Sequence, residues 1–182
     1  MTRIDELMTR DVRCCGPRDC LDAAAYGMWE ADCGCLPVVD SDGAGQLVGI
    51  VTDRDVCMAA LFTGKPLFEI RVEDVMSRDV RSCSPDDPPE EAQAIMQEWQ
   101  LRRLPVVDAG GRLVGLVSLA DLARIAGQRR NKKTPVAKAT LADTLAAICE
   151  PTPREPGQRP AEVPEESRSE AWLGEGRGST SP

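Results

Sequence analysis

An internal repeat constrains the fold of this 182-residue chain more strongly than any other feature of its sequence. The five residues LPVVD stand at 36–40 and again at 104–108. The stretch before them also returns, as MTRDVRCCGPRD at 8–19 and as MSRDVRSCSPDD at 76–87, with an offset of 68 residues. Self-similarity of this length indicates two sibling structural units.

The stretch after LPVVD repeats with a slightly different spacing. QLVGIVTDRD at 46–55 returns as RLVGLVSLAD at 112–121, with an offset of 66 residues. The difference falls where SDGAG in the first copy corresponds to AGG in the second. Gly- and Asp-rich stretches form turns, whose length can change at small entropic cost. Each copy is therefore predicted to contain a strand, a turn of variable length and a second strand.

Further elements are predicted at matching places in the two copies. A short helical lead-in at Ile4–Met8 recurs at Val72–Met76, and a brief extended piece at Val12–Cys14 recurs at Val80–Ser82. Apolar residues at helical spacing follow: Leu21, Ala24, Ala25 and Met28 in the first copy, and Ala92, Ile95, Met96 and Trp99 in the second. After the two strands, each copy is predicted to end in a helix.

The second copy also contains a start signal for its first helix. Asp87 is predicted to cap this helix, and Glu90 lies three residues later, as in a capping box. Pro88 and Pro89 suit the first helical turn, where a missing N–H costs nothing. The helix is therefore expected to begin directly after Asp87.

The predicted fold class is α/β (α+β), a tandem pair of strand–helix–strand–strand–helix units packed with pseudo-twofold symmetry. A unit of about 55 to 60 residues buries little surface alone, so each is expected to pack on its sibling. The predicted boundaries are 1–68 for the first repeat with its linker and 69–127 for the second. A basic linker and a C-terminal helix (Thr134–Cys149) are predicted within 128–150, and the polar composition of 151–182 predicts a disordered tail.

Composition excludes some classes of partner. Hydrophobic residues make up 42% of the chain but aromatic residues only 3%, so the core is expected to be aliphatic. The net charge of −8 argues against nucleic acid and against an anionic membrane as partner. No apolar run approaches the roughly 18 residues of a membrane helix, and the N-terminus lacks the apolar stretch of a signal peptide. A cytoplasmic protein is therefore expected.

Eight cysteines and no histidine raise the question of a thiol function. The cysteines are Cys14, Cys15, Cys20, Cys33 and Cys35, which crowd into the first copy, and Cys57, Cys83 and Cys149, which lie apart. The paired C-x-x-C spacing of zinc sites is absent, so no metal site is predicted. The C-x-C pair at 33–35 leaves open a soft-metal ligand pair or a strained disulfide, whereas buried cysteines also serve as small hydrophobic residues.

Two short motifs, GIVTDRD at 49–55 and GLVSLAD at 115–121, each place a hydroxyl at a strand end and a carboxylate three residues later. One interpretation is a capping box, which satisfies free backbone donors at a helix start. The other is a ligand site, since a helix N-terminus attracts phosphate and a carboxylate one turn on can accept ribose hydroxyls. The spacing permits both interpretations.

The complete repeat resembles the CBS domain, a family named after cystathionine beta-synthase. The resemblance rests on the M-T/S-R-D-V segment, the hydrophobic-Pro-Val-Val-Asp strand and the G-h-h-T/S-x-x-D motif (h, hydrophobic). It covers residues 4–126, and within this range the three motifs occur twice in the same order. It implies a compact module with two clefts that bind adenosine-containing ligands. It also implies ribose-binding roles for Asp55 and Asp121 and hydroxyl roles for Thr52 and Ser118.

The resemblance further implies residues for the adenine and the phosphates. Adenine contacts are expected near the first extended piece and the LPV strand, at Val12, Cys14, Leu36, Val38, Val80, Ser82, Leu104 and Val106. Basic residues just before the LPV strand often meet phosphates in such modules. The second copy has Arg102 and Arg103 there, and the first has Gly34 and Cys35. Because the arginine fork offers several fixed donors, the second site is expected to prefer more phosphate, whereas a solvated arginine pair is the alternative.

The resulting hypothesis is a stand-alone regulatory module, not an enzyme. The sequence contains no motif typical of a catalytic site and no P-loop, and no catalytic cofactor is expected. The module is expected to sense AMP, ADP, ATP or S-adenosylmethionine, to form a homodimer and to signal to an unidentified protein effector. Two alternatives stay open: a cysteine-based redox or metal switch, and a purely structural dimerisation module.

Overall fold

The computed structural model describes residues 2–40, 42–128 and 138–151. The start of the helix predicted from Thr134, most of the basic linker and nearly all of the predicted tail lie outside the described residues. The described residues form a mixed helix-and-strand fold with two small antiparallel sheets, which confirms the predicted fold class.

Each copy contributes two helices and two strands in the same order. The first copy contains α1 (Leu21–Glu30), β1 (Cys35–Val39), β2 (Leu47–Thr52) and α2 (Asp53–Thr63). The second copy contains α3 (Pro89–Glu98), β3 (Arg103–Val107), β4 (Leu113–Ser118) and α4 (Leu119–Gln128), and α5 (Lys138–Cys149) follows. Short 3-10 turns form at Ile4–Glu6, Leu67–Glu69 and Val72–Asp74. The first and last of these turns confirm the two predicted helical lead-ins.

The sequence repeat produces two hairpins of the same geometry. β1 pairs antiparallel with β2, and Pro37 lies opposite Ile50. β3 pairs antiparallel with β4, and Pro105 lies opposite Leu116. The register shifts at the same place near the end of β1 and of β3, which marks an equivalent bulge in both hairpins. A hairpin of two strands needs a packed face for stability, so each hairpin depends on the helices around it.

The extended pieces predicted at Val12–Cys14 and Val80–Ser82 do not form strands. One residue later, Cys15 makes a single parallel bridge to β1, and Cys83 makes the corresponding bridge to β3. The chain turns directly after each bridge, so the prediction of a first strand in each copy was wrong. Only the residue that follows each piece joins a hairpin.

The same turn explains why the predicted cap of α3 was also wrong. The Asp87 carboxylate accepts a hydrogen bond from the Ser84 backbone N–H at 2.7 Å and so closes the turn. The residue that precedes the helix is Pro88, which makes no side-chain cap, and Pro89 occupies the first helical position. Asp87 is therefore a turn residue, although the helix begins close to the predicted place.

The two copies exchange their leading segments. Ile4, from the lead-in of the first copy, is fully buried in the core of the second, and its N–H donates to the Asp87 carbonyl at 3.0 Å. Val72 and Met76, from the lead-in of the second copy, are buried in the core of the first. The Val72 N–H donates to the Asp19 carbonyl at 3.0 Å. Each hydrophobic core therefore contains residues of both copies.

Backbone bridges continue this exchange on the hairpins. Thr9 pairs with Leu116 of β4 through two hydrogen bonds of 2.9 Å. Ser77 pairs with Ile50 of β2 through bonds of 2.9 and 3.0 Å. The two bridges occupy equivalent positions of the repeat, so an approximate twofold relation connects them. This crossing brings the start of each copy beside the strand–helix junction of the other.

Helix α5 packs on α3 and α4 of the second copy. Thr144 is fully buried there, accepts a hydrogen bond from Gln97 Nε2 at 2.7 Å and donates to the Thr140 carbonyl at 2.8 Å. On the first copy, helix α1 presents Tyr26 and Trp29, which are 63% and 83% exposed. The two copies thus differ in what lies on their outer helices.

Candidate functional site

The junction between β2 and α2 is a capping box built by Thr52 and Asp55. Thr52 is extended (φ −118°, ψ 163°), and its Oγ1 accepts from the Asp55 N–H at 3.2 Å. The Asp55 Oδ2 atom accepts in return from the Thr52 N–H at 2.9 Å and from the Thr52 hydroxyl at 2.7 Å. The capping interpretation is therefore confirmed for this motif. Both hydrogen bonds that the Asp55 carboxylate accepts in the capping box end on Oδ2.

The junction between β4 and α4 repeats this geometry. The Asp121 Oδ2 atom accepts from the Ser118 N–H at 3.0 Å and from the Ser118 hydroxyl at 2.6 Å. The Ser118 Oγ atom accepts from the Asp121 N–H at 3.1 Å. Both motifs thus fix a carboxylate at a helix start, with its second oxygen available for other contacts.

That second oxygen has different surroundings in the two copies. Asp121 Oδ1 accepts from Arg124 Nη2 at 2.6 Å, and this ion pair joins residues one turn apart on α4. Among the described residues, Asp55 Oδ1 makes no hydrogen bond or ion pair, because both bonds of this carboxylate go to Oδ2. The position in α2 that corresponds to Arg124 is Met58, which has no donor.

Against each junction lies a cleft that has walls from both copies. The first cleft has a volume of about 330 Å³ and brings Thr52 and Asp55 of the first copy together with residues of the second. Those second-copy residues include Val80, Arg81, Trp99, Arg102, Arg103 and Pro105. Its volume lies near the lower end of the range for small-molecule pockets, roughly 300 to 1,000 Å³.

The second cleft has a volume of about 300 Å³ and combines Ser118 and Asp121 with Val12 from the first copy. Arg103 lines this cleft as well as the first one. The remaining first-copy lining includes Asp11, Arg13, Asp32, Cys33 and Cys35. The two clefts are thus related by the repeat, but they differ in charge.

The two clefts group the predicted site residues mainly across the copies, although Arg103 also lies beside Ser118 and Asp121 of its own copy. Val80 faces Thr52 and Asp55, whereas Val12 faces the Ser118 junction. The arginine pair predicted for the second copy's site lies in the cleft of Asp55. The exchange of leading segments causes this grouping, because it carries each extended piece to the other copy's hairpin. Arg102 and Arg103 also border Ser118 in a further hollow of the second copy.

Six other predicted residues do not line either cleft. The side chains of Leu36, Val38, Leu104 and Val106 are at most 1% exposed and belong to the hydrophobic cores. Cys14 and Ser82 also lie outside the lining of both clefts, and Ser82 borders a separate hollow. Because side chains alternate along a strand, the neighbours Cys35 and Pro105 face the first cleft instead.

Trp99 and Arg81 are cleft residues that sequence reasoning missed. The Arg81 guanidinium lies 3.7 Å from the centroid of the Trp99 ring, and its Nη2 atom pairs with Asp79 at 3.1 Å. Trp99 was assigned to the buried face of α3, yet it follows the end of that helix and is 45% exposed. A large aromatic residue directly after a helix, beside a basic residue of the leading segment, was the available signal.

Charge distinguishes the two clefts. The first is lined by the cationic side chains Arg81, Arg102 and Arg103 and by the carboxylates Asp55 and Asp79. The second is lined by two arginines and three aspartates: Arg13, Arg103, Asp11, Asp32 and Asp121. The first cleft is therefore the more favourable surrounding for an anion such as phosphate.

The eight cysteines are free thiols in the structure. Burial raises the pKa of Cys15 and of Cys83 to about 12, with smaller contributions from Asp19 and Asp87 respectively. Burial also raises the pKa of Cys14 and of Cys35. The thiolate is the nucleophile and the metal ligand, so these four thiols are poorly prepared for either chemistry at neutral pH. Within residues 2–40, 42–128 and 138–151, no group of three or more Cys, Asp or Glu side chains could hold a metal ion.

The fold and the clefts define a tandem module of two α/β units, and the comparison with known proteins identifies its class. The description "CBS domain" applies to residues 4–61 and 72–127, which together are more than half of the chain. The chain belongs to the CBS domain family. Uncharacterized protein YlbB of Bacillus subtilis is 40% identical over 123 residues, which cover 68% of this chain and 81% of that protein. No described helix is long and apolar enough to cross a membrane.

Solved structures similar to this chain contain different ligands. Hypoxic Response Protein I, with two coordinated zinc ions, has a TM-score of 0.61 at 33% identity, covering 68% of this chain and 98% of that one. CBSX2 in complex with AMP has a TM-score of 0.61 at 27% identity, covering 70% and 98%. The CBS domain pair of MJ0100, in complex with 5-methylthioadenosine and S-adenosyl-L-methionine, has a TM-score of 0.61 at 28% identity, covering 70% and 97%.

Proposed function

We propose that this chain is a non-catalytic regulatory module that binds an adenine nucleotide in the cleft of Asp55. One observation carries the proposal: a carboxylate oxygen of Asp55 that makes no hydrogen bond within the described part of the chain shares a cleft with Arg102 and Arg103. A carboxylate oxygen accepts hydrogen bonds from the ribose hydroxyls, and arginines donate to phosphate oxygens. Both functions are needed for a nucleotide, and this cleft offers both.

The remaining walls suit the base. Val80 and Pro105 supply apolar surface, and the Trp99 ring adds an aromatic face at the same cleft. A nucleotide base stacks favourably on aromatic rings and on arginine planes, and the stacked pair of Arg81 and Trp99 offers both kinds of surface. We therefore propose that the base binds beside Trp99 and Arg81.

The charge of the cleft favours phosphorylated ligands. CBSX2 binds AMP, and the MJ0100 domain pair binds S-adenosyl-L-methionine and 5-methylthioadenosine, so related modules accept several adenosyl compounds. S-adenosylmethionine carries a cationic sulfonium, which three arginines repel, whereas AMP, ADP and ATP carry the anionic groups that arginines bind. We therefore infer that the ligand is AMP, ADP or ATP.

The regulatory part of the proposal follows from the two-copy construction of the cleft. A ligand that contacts Asp55 of the first copy and Arg102 of the second stabilises one arrangement of the copies relative to the others. Such a ligand shifts the population only by its difference in affinity between arrangements. We propose that a protein effector binds preferentially to the arrangement that the ligand stabilises.

A separate observation, the exposure of Trp29 on α1, supports dimerisation. Trp29 is 83% exposed on α1, at the position where α3 carries Gln97, and Gln97 is covered by α5. We propose that a second copy of the chain covers Trp29 and makes the protein a homodimer. The redox and metal alternative has less support, because burial raises the pKa of the thiols of Cys14, Cys15, Cys35 and Cys83.

Isothermal titration of the ligand-free protein with AMP, ADP, ATP and S-adenosylmethionine tests the proposal. We expect Asp55→Ala to weaken AMP binding about 10- to 100-fold, since hydrogen bonds to charged groups contribute roughly 1.5–3 kcal/mol. Asp53→Ala is the matched control, because Asp53 is an exposed carboxylate in the same helical turn that does not line this cleft. If none of the nucleotides binds, the proposal is wrong.

A further inference from the structure

We propose that Arg124 acts as a specificity-determining residue that closes the second cleft to ribose, so that the chain holds one nucleotide, at Asp55. This inference rests on the proposed function and adds to it the stoichiometry and the residue that sets it. It is carried by a contact that Asp121 makes and that Asp55 does not make among the described residues: Arg124 Nη2 lies 2.6 Å from Asp121 Oδ1.

The carboxylates of Asp55 and Asp121 differ in the number of acceptor positions that remain free for ribose hydroxyls. An ionised carboxylate offers about four acceptor positions, two on each oxygen. Capping uses both positions of Oδ2 in Asp55 and in Asp121, since each Oδ2 accepts a backbone N–H and a hydroxyl. Asp55 Oδ1 keeps both of its positions for the two ribose hydroxyls. Asp121 Oδ1 has already given one position to Arg124 and cannot accept both hydroxyls.

Burial makes the ion pair difficult to replace. The Asp121 side chain is 12% exposed, whereas the Arg124 side chain is 63% exposed. Arg124 therefore reaches inward from the surface of α4 to a carboxylate that is largely removed from water. A partly desolvated ion pair is stronger than one in open solvent, and a neutral ribose that replaces Arg124 leaves the carboxylate without its countercharge.

The repeat shows that this contact is not a general requirement of the motif. In α2 the position of Arg124 is occupied by Met58, which cannot donate, and the Thr52–Asp55 capping box forms all the same. Arg124 is thus unnecessary for capping. Its contact is with Oδ1, the oxygen that capping leaves free.

The charge of the second cleft points in the same direction. Its lining combines Asp11, Asp32 and Asp121 with Arg13 and Arg103, so carboxylates outnumber arginines there. A nucleotide phosphate meets a net negative lining in this cleft and a net positive one in the first. Ribose and phosphate are therefore both less favoured in this cleft than in the cleft of Asp55.

A reciprocal exchange of the two α-helical residues tests the inference. Titration calorimetry with AMP is performed on the wild type, on Arg124→Met, which installs the first-copy residue, and on Met58→Arg, which installs the second-copy residue. We expect one AMP per chain for the wild type and two for Arg124→Met. We expect at least tenfold weaker binding for Met58→Arg. The double variant Arg124→Met with Asp55→Ala should keep one site, at Asp121.

The outcomes separate this inference from the proposed function. Two AMP per wild-type chain, one AMP for Arg124→Met, or loss of a second site on that substitution would each overturn the role of Arg124 while nucleotide binding stands. The last of these outcomes would make Arg124 a phosphate ligand. Absence of AMP binding in every variant would overturn both proposals. Far-UV circular dichroism of each variant establishes that the fold is kept, and Arg124→Gln provides a second substitution that also removes the charge.

Discussion

Gly49 of the first copy and Met76 of the second approach so closely that a Cβ atom on Gly49 would lie 2.6 Å from the Met76 sulfur. The same Cβ atom would lie 3.1 Å from the Ser77 carbonyl oxygen, which belongs to the backbone bridge with Ile50. The glycine of the G-h-h-T/S-x-x-D motif therefore has a packing reason. It lets the leading segment of one copy lie flat on the hairpin of the other.

We expect Gly49→Ala to lower the free energy of unfolding by about 1–3 kcal/mol, the usual cost of overpacking a core. Met76 is buried and the Ser77 carbonyl is held by its bridge, so neither can yield freely. Urea unfolding followed by circular dichroism measures the change. Gly127→Ala is the control, since nothing lies within 4 Å of its Cβ position in α4. Alanine in a helix interior is expected to stabilise the control by up to about 1 kcal/mol. Equal effects of the two substitutions would contradict the packing explanation.

Arg102 provides a test of the phosphate side of the first cleft. Arg102→Ala removes a guanidinium from the cleft of Asp55, so it should weaken ATP binding by about 10- to 100-fold and adenosine binding much less. Titration calorimetry with both ligands gives the two ratios. Arg18→Ala is a matched control, because Arg18 is exposed and lies outside both clefts. An equal loss for ATP and adenosine would show that Arg102 does not act on phosphate.

The hairpins and the two hydroxyl–carboxylate junctions were predictable because they depend on local sequence. An apolar run, a Gly-rich turn and a capping box each act within about ten residues, so LPVVD and TDRD suffice to place β1, β2 and the start of α2. The buried positions of Leu36 and Val38 also followed from strand alternation, which would have assigned Cys35 to the cleft side. That signal was present and was not used.

The exchange of leading segments could not be predicted in this way. Ile4 and Val72 stand at equivalent positions of two similar copies, so either could pack in its own unit or in the sibling with the same apolar contacts. A repeat alone does not distinguish the two arrangements, because both satisfy the same local pattern. The composition of each cleft depends on this choice, which is why the place of Arg102 in the cleft of Asp55 was not predicted. The contact between Asp121 and Arg124, by contrast, was visible as an i,i+3 pair of opposite charge.

The buried thiols make stability depend on pH in the alkaline range. Burial first, and then Asp19 and Cys14, raise the pKa of Cys15 from its ordinary value of 9.0 to about 12. Between these values the unfolded chain has lost the thiol proton and the folded chain still holds it. The free energy of unfolding therefore falls as pH rises from about 9 to about 12, by at most about 1.4 kcal/mol per pH unit for one thiol. Below pH 9 this thiol contributes no pH dependence.

Chemical denaturation at a series of pH values measures this slope. Cys15→Ala should reduce the alkaline slope, and Cys83→Ala should do so independently, because burial raises the pKa of Cys83 to about 12 as well. Cys57→Ala is the control, since Cys57 is exposed on α2. The comparison with the wild type separates the two thiols from the other groups that titrate in this range. A slope unchanged by both core substitutions would contradict the assignment.

The outer face of α1 gives the last prediction. Trp29 is 83% exposed, and a tryptophan on an outer helix face is typical of a residue that a partner covers. In the second copy the corresponding residue, Gln97, donates a hydrogen bond to Thr144 of α5, so that face is already occupied within the chain. If a second copy covers Trp29, then Trp29→Glu places a charge in the interface and should convert the dimer into a monomer.

Light scattering coupled to size-exclusion chromatography measures the mass of the wild type and of the variant. Leu145→Glu is the control, because Leu145 is a 49% exposed apolar residue on α5, which packs on the second copy. A wild type that elutes as a monomer, or a Trp29→Glu variant that stays dimeric, would exclude this face as the interface.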